Sequence, residues 1–240
     1  MAEAAPAQTG NIYDLGYRGY DGERLGRRYA TISLYIYSLR AIFGLGRSAW
    51  AKVFPIGLAV VALIPASIQL GIAAISPINF TLIKPEGYFT YVQIIIALFC
   101  AVSAPEIIGR DQRYRTLPLY FSRSLSRIDY VSAKLGALMT ALFIVLALPQ
   151  IILVLGSAVA KADVVNGLSD QAGQFAPIFA GAFVVAAFMG SVSLTIASMT
   201  SRRAFSTGAV LAFFVILSAI WNPTLLPRAS GSVLRHLIRL

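Results

Sequence analysis

Residues 104–134 read APEIIGRDQRYRTLPLYFSRSLSRIDYVSAK, six cationic side chains set between two long apolar runs, with a single glutamate, Glu106, on the apolar edge. A loop this basic inside so oily a chain directs the reading of what surrounds it. The 240 residues are 58% hydrophobic and only 12% charged, about half the charge of an ordinary soluble domain. Runs of 18 or more mostly apolar residues occur five times, at Val53–Ile75, Phe89–Gly109, Val131–Val159, Phe175–Met199 and Ala204–Trp221. At a rise of about 1.5 Å per residue, each can cross a hydrocarbon core of about 30 Å as a helix. The expected fold is an all-α integral membrane protein, a polytopic helical bundle with five readable transmembrane helices. The first run lies too far along the chain, and lacks the small-residue cleavage pattern, to be a cleavable signal.

The net charge of +10 would suggest nucleic acid in a soluble protein, but here its distribution is a topology signal. Arg18, Arg24, Arg27, Arg28, Arg40, Arg47 and Lys52 precede the first run. Arg110, Arg113, Arg115, Arg123, Arg127 and Lys134 lie in the basic loop, and Arg202 and Arg203 lie between the fourth and fifth runs. The loops that alternate with these hold only Lys84 and Lys161. Fifteen of twenty Lys and Arg therefore share one side, which by the positive-inside rule is the cytoplasm and holds the N-terminus. Arg228, Arg235 and Arg239 sit in a tail that five spans would put outside.

Four segments follow: a cytoplasmic N-terminal stretch at 1–30, an amphipathic helix at 31–52, a transmembrane domain at 53–221 and a C-terminal tail at 222–240. In the second of these, Tyr35, Leu39, Ile42, Phe43 and Trp50 recur at helical spacing while Arg40 and Arg47 share another face. Such a helix lies in the cytoplasmic headgroup layer, or packs as a cytoplasmic helix away from lipid; Gly44 and Gly46 make it bendable. Pro55, Pro65, Pro105, Pro149 and Pro177 fall in or beside the spans, where membrane helices tolerate them. Ala182, Ala186 and Gly190 repeat at four-residue spacing and allow close helix approach.

The chemistry available is narrow. Cys100 is the one cysteine and His236 the one histidine, so no metal or cofactor site is expected. There is no GxSxG, no HExxH and no GxxxxGK[ST], so neither hydrolysis nor P-loop ATP binding is expected of this chain. Four of the five spans carry no acidic residue, which disfavours an ion-coupled carrier. Glu106 is read either as an interfacial carboxylate paired with Arg110, four residues on, or as a group with a direct part in gating. The basic loop exceeds a plain positive-inside loop in one respect. Charged, helix-capable residues follow Gly109, Pro118 breaks the run, and SRSLSRIDY feeds straight into the third span. A short surface helix there could transmit a partner's movement into both attached spans.

These residues resemble the permeases of type-2 ABC exporters, in which a glutamate-containing end of the second span leads to a coupling helix, a leucine-rich turn and a lysine opening the third span. Glu106, Arg110, Asp111, Thr116, Leu117, Leu119, Ser122, Arg123, Leu125, Ser126, Arg127, Tyr130 and Lys134 fit that pattern; Ser124 stands where the family usually has proline. The stretch YDLGYRGYDGERLGRRYA, residues 13–30, is similar to the start of an actinobacterial subgroup of these permeases. The resemblance implies a bacterial plasma-membrane exporter of two permease copies and two P-loop nucleotide-binding subunits, with ATP and Mg on the partner and none on this chain. It implies a coupling helix at about Arg110 to Pro118, with Arg110, Asp111, Arg113, Tyr114, Arg115, Thr116, Leu117, Arg123 and Arg127 facing that partner and Glu106 as a gating candidate. The 31–52 helix would be the family's connecting helix, and spans one, two and five would line the path. The family norm is six spans, so the expectation here is a sequence lacking its last helix or one with an unusual ending. The competing class is a non-transporting membrane scaffold.

Overall fold

The computed structural model describes residue 22 and residues 25–46, 49–75, 88–122, 125–159 and 164–221, and all the regular structure among them is helical. Among the described residues, five helices are long and apolar enough to cross a membrane. In chain order the elements are α1 (Gly26–Ile42), α2 (Ala49–Ile75), α3 (Tyr88–Ala104), a π-helical turn (Pro105–Gly109), α4 (Arg110–Arg113), α5 (Leu117–Phe121), α6 (Arg127–Val159), α7 (Val164–Ser198) and α8 (Arg203–Trp221). The five apolar helices fall where hydropathy put them, with shifted ends. The fourth starts at Val164, well before Phe175, because Asn166, Ser169, Asp170 and Gln174 are helix-compatible yet too polar to register as apolar.

The expected helix at 31–52 is two pieces. α1 begins five residues earlier, stops at Ile42, and gives way to a turn at Phe43–Gly46; residues 49–52 already belong to α2. The glycines read as making it bendable end it outright. Gly44 at φ 67° and Gly46 at φ 85° sit in left-handed backbone that side chains disfavour, and a Cβ on Gly44 would lie 2.5 Å from the Ala51 carbonyl oxygen.

With 33 residues, α6 is about 50 Å long, and α1 and α2 lie along it in tandem. Over its first half, Tyr35 on α1 donates to Thr140 Oγ1 at 2.9 Å and rests on Gly136. Over its second half, Ile56 and Ala59 of α2 face Ile144 and Val145, and Leu70 covers Gly156. α1 therefore packs one face on the protein, with Leu34, Ser38, Ala41 and Ile42 buried. Its opposite face carries Tyr29, Ile32 and Ile36, all exposed. Arg40 lies exposed on the flank, while Arg47 is outside the described residues.

α3 is the most enclosed of the five apolar helices, packed on α2, α7 and α8. Its residues Val92, Ile96, Phe99, Cys100, Ala101 and Ala104 are almost wholly buried. The small-residue spacing on α7 does what its pattern suggests. Ala182 and Ala186 are fully buried, and Gly190 packs directly on Met139 and Leu142 of α6.

Candidate functional site

Ionisable side chains collect where α3, α6 and α8 meet α1 and α4. The second span does not end at Gly109. It passes through one wider turn at Pro105–Gly109 and continues as α4 to Arg113. Proline has no N–H and crowds the preceding turn, and single π turns of this kind re-aim the groups that follow. All five residues of that turn are buried, Glu106 among them at 8% exposure. Arg110 Nη1 approaches Glu106 Oε1 at 3.3 Å, and Arg203 at the start of α8 approaches Oε2 at 3.5 Å. The i,i+4 pairing expected of Glu106 is present. A second guanidinium, 97 positions away in sequence, faces the same carboxylate.

One turn further, Asp111 forms the tightest cluster of the layer. Lys134 of α6 is 1% exposed, and its Nζ lies 2.9 Å from Asp111 Oδ2 while donating to the Ile107 carbonyl, also at 2.9 Å. The Tyr130 hydroxyl donates to the same Asp111 oxygen at 2.7 Å. A buried ammonium persists only when paired and further hydrogen-bonded; here the partly buried Asp111 carboxylate pairs with it, and a phenol and a backbone carbonyl complete the cluster.

α6 starts at a capping box. Ser126 accepts from the Asp129 N–H at 3.3 Å, and Asp129 accepts from the Ser126 N–H at 2.9 Å. Arg27 of α1 then donates to both Asp129 oxygens, at 2.6 Å and 3.0 Å, and to Ser126 Oγ at 2.9 Å. These bonds to Asp129 raise the Arg27 pKa above its ordinary value. On the opposite flank Gln112 donates to the Ser198 carbonyl at the end of α7, 2.7 Å away. Five helices are thus tied together within a few turns of the same end of the bundle.

The expected coupling helix, Arg110 to Pro118, is not one element. Arg110–Arg113 extends the second span, the chain turns at Tyr114–Thr116 with Arg115 at φ 53°, and α5 runs Leu117–Phe121. Pro118, expected to break the run, sits in the first turn of α5, where its missing N–H has no intrahelical partner to lose. Arg113, Tyr114 and Arg115 are exposed, Thr116 and Leu117 partly so. Leu119 on α5 is 68% exposed. Tyr120 and Phe121 set their rings against Tyr130, with centroids 5.6 and 5.9 Å away, while Phe121 stays 38% exposed. Burial, with the nearby Asp111 and Tyr37, raises the Tyr120 pKa. Arg127 is exposed beside Ile128, whereas Arg123 is outside the described residues. The segment therefore has an anchored inner side and a free outer side carrying Arg113, Tyr114, Arg115 and Leu119.

Sequence reading found Glu106, Arg110 and Asp111. It gives Ser126, Tyr130 and Lys134 only as part of the resemblance and Arg27 and Arg203 only as topology charges, and it assigns Asp129 no role. The Ser-x-x-Asp spacing at 126–129 was the available local signal; the pairings across helices had none. No family model, curated protein or solved structure matches the chain.

Proposed function

We propose that this chain is the membrane-spanning permease subunit of an ATP-driven ABC exporter in a bacterial plasma membrane, with its N-terminus cytoplasmic. It works as one of two permease copies beside a separate P-loop nucleotide-binding subunit. The observation that carries the reading is the segment from Arg110 to Phe121. It is exposed on one side, with Arg113, Tyr114, Arg115 and Leu119 outward, and fastened on the other to α6 through Asp111, Lys134 and Tyr130.

A subunit pressing on the outer side would load both attached spans through short ionic links. Side chains of Arg113 and Arg115 suit an acidic docking groove on that subunit, and Tyr114 and Leu119 supply apolar anchors. The capping box and Arg27 would hand the same displacement to α1. Glu106, shared by Arg110 and Arg203, would gate by exchanging its partners as α8 moves. This chain contributes no catalytic group, and the ATP and Mg belong to the partner.

The test is purification of the tagged chain from its own host in mild detergent, mass spectrometry of what stays bound, and an ATPase assay on that material. A stoichiometric P-loop ATPase that is lost when residues 110–121 are scrambled is the expected result. An intact, ATPase-free oligomer would overturn the proposal and leave the scaffold reading.

A further inference from the structure

Two cavities border the Phe43–Gly46 turn between α1 and α2. One, about 550 Å³, is lined by Tyr37, Arg40, Ala41, Leu45, Gly46 and Arg110. The other, about 190 Å³, is an apolar cleft between α2 and α6 with Phe43, Ala59, Leu63 and Val145 among its walls. The first is cationic, and among the described residues its lining holds no carboxylate. Arg40 is exposed and makes no ion pair among the described residues. Arg110 does pair with Glu106, but Glu106 also faces Arg203, so two guanidiniums share one carboxylate and positive charge is left over. Guanidinium forks match phosphate oxygens in shape and charge. The second cavity opens outward past Ile56, Val60, Ile144 and Leu148, each between 42% and 54% exposed, on helices apolar enough to lie in a bilayer.

We propose that the two cavities hold one anionic phospholipid, its phosphate between Arg40 and Arg110 and an acyl chain in the cleft between α2 and α6. Basic pockets beside membrane helices take lipid phosphates in this way. A free phosphate ester would satisfy the arginines but leave the apolar cleft unused, which is why the lipid is preferred. The site stands on this chain alone and does not depend on the exporter reading.

Native mass spectrometry of the purified chain, titrated with phosphatidylglycerol, phosphatidylcholine of the same acyl chains and glycerol 3-phosphate, tests it. At about fivefold per arginine, phosphatidylglycerol should bind roughly 25-fold more tightly than phosphatidylcholine. Arg40→Gln should weaken phosphatidylglycerol about fivefold, and Arg202→Gln, at an exposed arginine stacked near Phe205, should not. Ala59→Phe, which fills the cleft, should weaken it without touching either arginine, and glycerol 3-phosphate should fail to compete. Equal binding of the two lipids, equal effects of Arg40→Gln and Arg202→Gln, an Ala59→Phe variant that binds as before, or displacement of lipid by glycerol 3-phosphate would each overturn the proposal.

Discussion

Replacing Lys134 with methionine removes the positive partner from the most enclosed ion pair of the polar layer. The ammonium is 2.9 Å from Asp111 Oδ2, with side-chain exposures of 2% for Lys134 and 13% for Asp111. At an effective dielectric constant of 20 their attraction is about 6 kcal/mol, much of it offset by the desolvation of both groups. Removing one partner of a fully buried pair costs about 3–5 kcal/mol, and Asp111 is left unpaired but only partly enclosed. Asp111 keeps the Tyr130 hydroxyl at 2.7 Å and some contact with solvent, so the expected cost is about 3 kcal/mol, at the low end of that range. At roughly 2–4 °C per kcal/mol for a chain of this size, the midpoint should fall by about 6–12 °C. Cys100, the one cysteine, is fully buried, so a thiol-reactive fluorophore reports unfolding in detergent directly. The double variant Lys134→Met with Asp111→Asn should recover most of the loss, since no buried charge is then left alone. A Lys134→Met midpoint within about 2 °C of the parent, or a double variant no better than the single, would refute the account of a compensated pair.

The same assay separates the two turn glycines: Gly44→Ala drives a Cβ against the Ala51 carbonyl and should cost more than about 2 kcal/mol, whereas Gly46→Ala meets nothing and should cost only about 1. Asp129→Ala removes the carboxylate half of the capping box, which accepts from the Ser126 N–H and from Arg27, and should lower the midpoint more than Arg27→Gln, which acts on a side chain that is 60% exposed. For the function proposed, Arg113→Glu with Arg115→Glu should leave ATP hydrolysis by the assembled complex running while transport in reconstituted vesicles falls, and unchanged coupling would count against the docking role. Glu106→Gln should lower transport more than expression, because a neutral amide cannot hold two guanidiniums; equal retention of both would reduce Glu106 to a structural carboxylate.

The bundle was legible because hydrophobic length is a local property. A run such as Val131–Val159 declares itself by composition, whatever it packs against. Helix ends were less so. Residues 31–52 kept a helical period through Gly44, and periodicity cannot distinguish a helix that bends from two helices meeting at a left-handed turn. The polar start of α7 failed for the converse reason: Asn166, Ser169 and Asp170 are compatible with helix, yet hydropathy registers only the apolar part.

The polar layer was legible only where its partners are close in sequence. Glu106 and Arg110 are four apart and could be paired on paper, and Ser126 and Asp129 are three apart. Arg27 and Asp129 are separated by 102 positions, Gln112 and Ser198 by 86; such pairs arise only after the helices have chosen neighbours. That choice is made by apolar packing, of α1 on α6 through Leu34 and Tyr35 and of α7 on α6 through Gly190. The wider turn at Pro105–Gly109 follows the same logic from the other direction. It carries the Ile107 carbonyl that accepts from Lys134, so a proline read as a tolerated interruption also begins the turn that meets the buried ammonium. Change the geometry of that turn and Lys134 loses its second acceptor, whatever happens to Asp111. Pro105→Ala is therefore expected to weaken the layer even though alanine is the better helix former.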